Sequence, residues 1–212
     1  MATFLDIQTA VSKRLLDPLY ESVSQADVAS AINDSIAYWK YKRFWFNEAY
    51  GQVTATQSTG PIPLPADFLV PATDYDGFNI EYSAMRYPLQ KLTQGQYDGI
   101  YLTNGTGLPR MYARVGQDYV LYPLPDRDYD INCHYLRDYD PLVDDGDTND
   151  FTDYADRLLT LWTTADLVFE IRRDFDAENL FRQRAQVEYQ ELQTMTRKSN
   201  ASGSLTLSST LL

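Results

Sequence analysis

The chain has little of what most side-chain chemistry needs. Its 212 residues include one cysteine, Cys133, and one histidine, His134. A lone thiol excludes an intrachain disulfide and a cysteine-rich zinc site. The two residues are adjacent in YVLYPLPDRDYDINCHYL, residues 119–136, which reads as strand, tight turn, strand. Neighbouring side chains on a strand leave opposite faces, so a thiolate–imidazole pair cannot form there. Cys133 shares a face with Ile131 and Tyr135 and reads as a small core residue. His134 reads as a solvent-facing strand residue.

Positive charge is also scarce. Lys and Arg number 18 against 30 Asp and Glu, a formal charge of −12. Such a surface repels phosphate, which argues against specific nucleic-acid binding, and it repels anionic membranes. No apolar run approaches the length of a membrane span. The start, MATFLDIQTAV, has an acid at Asp6 and no basic leader before an apolar run, so the expectation is a soluble protein made in a cytoplasm.

The familiar catalytic motifs are missing too. GTGLPR has two glycines in dinucleotide spacing, but Arg110 stands where the third is needed and Pro109 opposes a helix start. There is no P-loop, nucleophile elbow or zincin motif. Among 30 acids, carboxylate pairs of the glycosidase kind arise by chance, and nothing singles one out. The loop DYDPLVDDGDTND, residues 138–150, fails as a calcium loop. Taking Gly146 as its turn glycine puts Pro141 and Val143 at the first and third ligand positions and Thr152 at the closing one. It reads as a solvated acidic loop feeding a helix N-terminus.

What is present is a core and many rings. Hydrophobic residues make up 44% of the chain, enough for one full core or a main domain with a smaller lobe. The 17 tyrosines suit strands, and equally suit interfaces, because each joins a large apolar body to a polar tip.

The period of the apolar residues changes twice. Phe4, Ile7, Val11 and Leu15 recur at helical spacing after a capping box formed by Thr3 and Asp6. A second helix opens at Ser24, with Asp27 in the reciprocal position and a stripe of Val28, Ala31, Ile32, Ile36 and Trp39. KYKRFWF, residues 40–46, mixes basic and aromatic residues as a nucleic-acid platform would, but given the acidic whole it reads as the end of that helix: Lys40, Lys42 and Arg43 suit its negative end, and the rings enter the core.

Strand signals follow. EAYGQVTAT alternates. Prolines 61, 63, 65 and 71 make the next segment an extended edge or linker. Asp76-Gly77 is a favoured hairpin turn, AMRYPLQKLT reads as one strand, and a short helix spans 93–102. PRMYARV, DYVLYP and YDINCHYLRDY read as a half-buried antiparallel meander, with Tyr129, Ile131, Cys133 and Tyr135 facing inward.

Helical spacing then returns. Tyr154, Leu158, Leu161, Trp162, Ala165, Val168 and Phe169 form a wide stripe over 153–173. A last helix starts near Asp176 and buries Phe181, Ala185, Leu192 and Met195. No period of about 20–50 residues repeats, which excludes a solenoid. Residues 199–212 are small, polar and turn-prone. The alternation in SLTLSST fits a strand added to a partner's sheet edge, with Leu205 and Leu207 in pockets. Leu211 and Leu212 join them as candidate partner-binding residues.

The expected fold class is α+β: a helical bundle built from the N- and C-terminal helix pairs, with an antiparallel β lobe inserted between them. The expected segments are 1–47 and 141–198 for the bundle, 48–140 for the lobe and 199–212 for an extended tail.

The order of these features carries a resemblance. A helix pair ending in AINDSIAYWKYKRFWFNE is followed by PLPADFL. Then come GLPRMYARVGQDYVLYPLPDRDYDINCHYLRDYDPL, an acidic loop and a second helix pair. Over residues 24–195, and most specifically 107–142, the chain resembles the head-to-tail adaptor (neck, or tail tubular) proteins of tailed bacteriophages. The resemblance implies a dodecameric ring under the portal, which extends the DNA channel and joins a downstream tail or nozzle protein. DNA would pass without specific binding. The site would be the virion neck. It implies no catalytic residue, metal or cofactor. A C-terminal extension into the portal would give the tail leucines a role.

A channel that DNA must cross works best if it does not hold phosphates. Asp138, Asp140, Asp144, Asp145 and Asp147 are therefore candidate lumen acids. The competing classes are a small cytoplasmic binding module and a carboxylate-dependent hydrolase. The lack of a nucleophile–base constellation separates the hydrolase from the ring protein, and only particle mass separates the binding module.

Overall fold

The computed structural model describes residues 1–73, 77–101 and 105–200. In chain order the elements are α1 (Phe4–Arg14), α2 (Gln25–Trp39), β1 (Glu48–Ala55), β2 (Phe68–Pro71), β3 (Phe78–Tyr82), β4 (Met85–Pro88), β5 (Gln90–Leu92) and α3 (Gln94–Tyr101). They continue with β6 (Thr106–Gly107), β7 (Met111–Val115), β8 (Asp118–Tyr122), β9 (Leu124–Pro125), β10 (Tyr129–Arg137), α4 (Asp150–Tyr154), α5 (Asp156–Arg172) and α6 (Phe175–Asn200). The fold is α+β. Among the described residues it divides into a helical unit, Met1–Asn47 with Tyr139–Asn200, and a strand unit within Glu48–Asp138.

In the helical unit the local signals hold. Thr3 Oγ1 accepts the Asp6 N–H at 3.2 Å, and the Asp6 carboxylate accepts the Thr3 N–H at 2.9 Å. Phe4, Ile7, Val11 and Leu15 are buried, as are Val28, Ile32, Ile36 and Trp39 of α2. The α2 helix stops at Trp39, with Lys40 as its cap, so KYKRFWF lies just past the helix. A buried Asn47 holds this turn. Its side-chain oxygen accepts the Phe44 N–H at 2.9 Å, and its amide donates to the carbonyls of Lys42 and Lys40 at 2.9 and 3.3 Å. Phe44 and Phe46 turn inward and stack at 5.1 Å.

The stripe over 153–173 is two helices. Asn149 caps α4 by accepting the N–H groups of Phe151 and Thr152, and Ala155, at φ −132° and ψ 21°, breaks the ladder before α5. Tyr154, expected inside, is exposed. The α5 helix packs against α1, α2 and α6. Contact on so many sides buries threonines along with leucines. Thr160 and Thr164 donate to the carbonyls of Asp156 and Thr160, and the Thr163 hydroxyl lies 2.8 Å from that of Ser35. Backbone acceptors within the helix let these hydroxyls sit in the core.

On α6 the inward positions include Phe181, Ala185, Tyr189, Leu192 and Thr196. Met195, expected among them, is exposed. It is one residue, about 100° of rotation, from the stripe that Thr196 completes. Helix α6 continues to Asn200, two residues past the expected end of the bundle segment.

In the strand unit the main sheet runs β1–β10–β3–β4, with β2 paired to the end of β10. All these pairings are antiparallel. The meander expectation is half right. Strands β7 and β8 form a hairpin across Gly116-Gln117, where Gly116 takes φ 66°. Strand β10 lies in another sheet, however, while β8, β7 and β5 form their own. Pro123 and Pro125, which lack an N–H, lead the chain off the β8 ladder, and β9 pairs in parallel with β6. The Tyr122–Pro123 peptide is cis.

AMRYPLQKLT likewise splits at the buried Leu89 into β4 and β5, and β5 pairs in parallel with β7. Asp76 lies outside the described residues. The turn between β3 and β4 is Ser83–Ala84, both left-handed at φ 52° and 59°. Gly77 serves close approach, since a Cβ there would stand 2.6 Å from Pro71 Cβ.

Candidate assembly surfaces

The acidic loop is braced rather than simply solvated. The Asn33 side chain of α2 grips Leu142 twice, donating to its carbonyl at 3.0 Å and accepting its N–H at 2.9 Å. Asp147 accepts the N–H groups of Val143 and Asp144 at 2.7 and 2.8 Å, which holds its carboxyl below the usual carboxylate range. The loop then closes the N-terminus of α1. Phe4 and Leu5 donate their N–H groups to the carbonyls of Asp147 and Asp145 at 2.9 and 3.0 Å. These are donors that a helix start leaves without intrahelical partners. Asp138, Asp140, Asp144 and Asp145 are exposed, and Asp147 is half-buried. Thus four of the five candidate acids present charge to solvent, and the fifth builds the turn.

The Cys133–His134 pair divides as strand geometry requires, but both members are buried. Cys133 sits in the strand core with Phe78, Ile80 and Ile131, and burial pushes its thiol up to about 12. His134 was expected in solvent. It is instead buried, with Nε2 2.7 Å from Glu48 Oε2 and its ring stacked on Tyr50 at 4.3 Å. Strand β1, the neighbour of β10 in the sheet, places Glu48 and Tyr50 beside His134 on that face. An imidazole held this way has a structural partner. Among the described residues no group of three or more His, Cys, Asp and Glu side chains is placed to hold a metal ion.

On the helical unit, Arg182 of α6 organises one flank of the α5–α6 seam. Its guanidinium lies 4.0 Å from the Trp162 ring centroid and pairs with Asp166 of α5 and with Glu178. Burial raises the Asp166 carboxyl, against the pull of Arg182. Asp166 and Glu170 then line a groove with Asp27 and Asp34 of α2. Elsewhere α6 leaves Leu180, Val187 and Met195 exposed.

The molecule therefore offers charged and apolar helix faces, a braced acidic loop and a buried imidazole. A family model described as SU10 adaptor protein matches residues 2–208. The chain belongs to the SU10 adaptor protein family. The resemblance carried by residues 24–195 is borne out, over a longer span, and the protein is a bacteriophage adaptor, a structural component. A comparison with curated proteins gave no match.

For this adaptor, the four tail leucines, Leu205, Leu207, Leu211 and Leu212, lie outside the described residues. No helix among the described residues is long and apolar enough to cross a membrane. Sequence reading missed the Asn33 clamp and the Arg182 seam. Asn33 stands in mid-helix, where asparagine is a poor helix former. That mismatch is the one local signal that could have marked it.

Proposed function

We propose that this adaptor assembles into a ring, twelve copies in the closed form, which docks under the portal at the virion neck, extends the DNA channel and joins the tail protein below. The family match over residues 2–208 carries this reading. The charge of −12 supports a wall that lets DNA slide without holding it. Asp138, Asp140, Asp144 and Asp145 are the acids best placed to contribute, because they are exposed. Asp147 serves mainly the loop. Leu205, Leu207, Leu211 and Leu212 act as the portal-docking extension. The role is structural and uses no catalytic group or cofactor.

The test is mass and image. The purified chain is mixed with its portal and examined by native mass spectrometry and electron microscopy. A ring coaxial with the portal is expected. A chain that stays monomeric with the portal present would sink the reading. Truncation after residue 200 is expected to leave the fold intact and weaken docking. Replacing Asp140, Asp144 and Asp145 by lysine is expected to slow DNA ejection and to make its rate depend on salt.

A further inference from the structure

The two flanks of the α5–α6 seam carry opposite charge. Arg157 and Asp166 stand nine residues apart on α5, and at about 100° per residue that is half a turn. Each meets α6 from its own side, Arg157 through Glu188 at 3.0 Å and Asp166 through Arg182. On the Asp166 flank, Asp27, Asp34, Asp166 and Glu170 line a groove of about 330 Å³ with Ala31 and Leu167. Four carboxylates line it, and of these Asp166 pairs with Arg182.

The other flank gathers cations. Arg184 is one turn from Glu188 on α6, which places it on the Arg157 side. Arg14 of α1 joins them. Burial and then the field of Arg157 lower its proton affinity, Asp156 partly opposes this, and Arg184 adds to the lowering. All three arginines are exposed residues, Arg157 with 69% of its side chain exposed, and Arg14 also donates to the Ala10 carbonyl of its own helix at 3.0 Å.

The geometry points to an interface between two copies of this chain: the Arg14–Arg157–Arg184 flank of one copy seats against the Asp27–Asp34–Asp166–Glu170 groove of the next. This rests on the ring reading above and names the surfaces that would close the ring. A patch that meets a different patch leaves one of each unused on every pair. Such contacts propagate, and they close when the rotation allows, whereas a self-complementary patch stops at a dimer. Opposite charges on opposite flanks supply that head-to-tail polarity. They also fix register and speed encounter between copies.

The experiment is a charge exchange read by sedimentation and native mass, with portal present and absent. One variant carries Asp34→Lys and Glu170→Lys, and the other carries Arg14→Glu and Arg184→Glu. All four positions are exposed, and circular dichroism checks that both variants fold. Where the unaltered chain forms rings, each variant alone is expected to lose them. An equimolar mixture is expected to regain them, because each variant keeps one native flank and the reversed flanks again attract. Assembly of the unaltered chain should weaken as salt rises.

Rings from either variant alone would overturn the assignment and leave the ring reading standing. Loss in both variants without recovery on mixing would also overturn it, and would assign the flanks to another partner such as the portal. An unaltered chain that never assembles would remove the ring reading and this inference together.

Discussion

His134 Nε2 and Glu48 Oε2 lie 2.7 Å apart with side chains only 9% and 7% exposed. A buried polar group left without its partner costs about 1–3 kcal/mol. Glu48→Leu should therefore destabilise the strand unit by about that amount, measured by urea unfolding. Adding His134→Leu should recover most of the loss, since removing both partners costs far less than removing one. A Glu48→Leu variant as stable as the parent would show that the pair contributes nothing.

Cys133 should be silent to alkylation while the chain is folded. Its folded pKa, about 12, lies above the ordinary thiol value of 9.0 because burial disfavours the thiolate. The thiolate is the reacting form. Iodoacetamide at pH 8 should label the unfolded chain and leave the folded one unmodified. The linkage has a definite sign. A folded pKa above the unfolded one contributes stability that is complete below pH 9 and lost as pH rises toward 12. Tyr129 and Tyr135, each raised to about 12 by burial and then by Asp126 and Asp67 respectively, act in the same direction. Stability should therefore start to fall above pH 9, through Cys133, and fall faster above pH 10, the ordinary tyrosine value.

The β3–β4 turn is open to improvement. Ser83 and Ala84 both hold left-handed backbone, at φ 52° and 59°, which costs an L-residue about 1–2 kcal/mol. A two-residue turn of this kind prefers Asn-Gly. The double change Ser83→Asn, Ala84→Gly should raise the denaturation midpoint, with a gain of about 1 kcal/mol. A lower midpoint would mean that the native side chains hold the turn in some further way.

Acid should loosen the start of α1 before the rest of the bundle. Asp6 is held below 3.8 by the Thr3 N–H and hydroxyl, and Asp147 by the N–H groups of Val143 and Asp144. Groups with depressed folded values contribute stability above 3.8, which is lost as pH falls below it. Hydrogen exchange at the Phe4 and Leu5 amides, which bond to the loop, should accelerate relative to α5 as pH drops from 6 to about 3. Asp147→Ala should show the same acceleration already at pH 6. Equal protection in that variant would separate the loop from the helix start.

Much of the helical unit was legible because its signals act within one or two turns. The Thr3–Asp6 box, the Ser24 cap, the buried stripes of α1 and α2 and the Gly116 turn each depend on residues close in sequence. So did the identity of Cys133 as core, since strand alternation alone sorts its face. The break at Ala155 was not legible. The apolar spacing continues through it, and only the Asn149 cap two turns earlier competes for the phase.

Composition determined that the chain is acidic, and apolar spacing that helical, strand and helical segments follow one another with Cys133 and His134 on opposite strand faces. The tertiary structure decided where those charges stand and which strands meet. Glu48 reaches His134 across 86 residues, and Asn33 reaches Leu142 across 109. The α5 flanks acquire opposite sign only after α1, α2 and α6 have packed beside them. Capping and periodicity are short-range forces that local spacing records. Pairing between distant segments depends on which surfaces the folded chain brings together, and spacing along the chain does not carry that information.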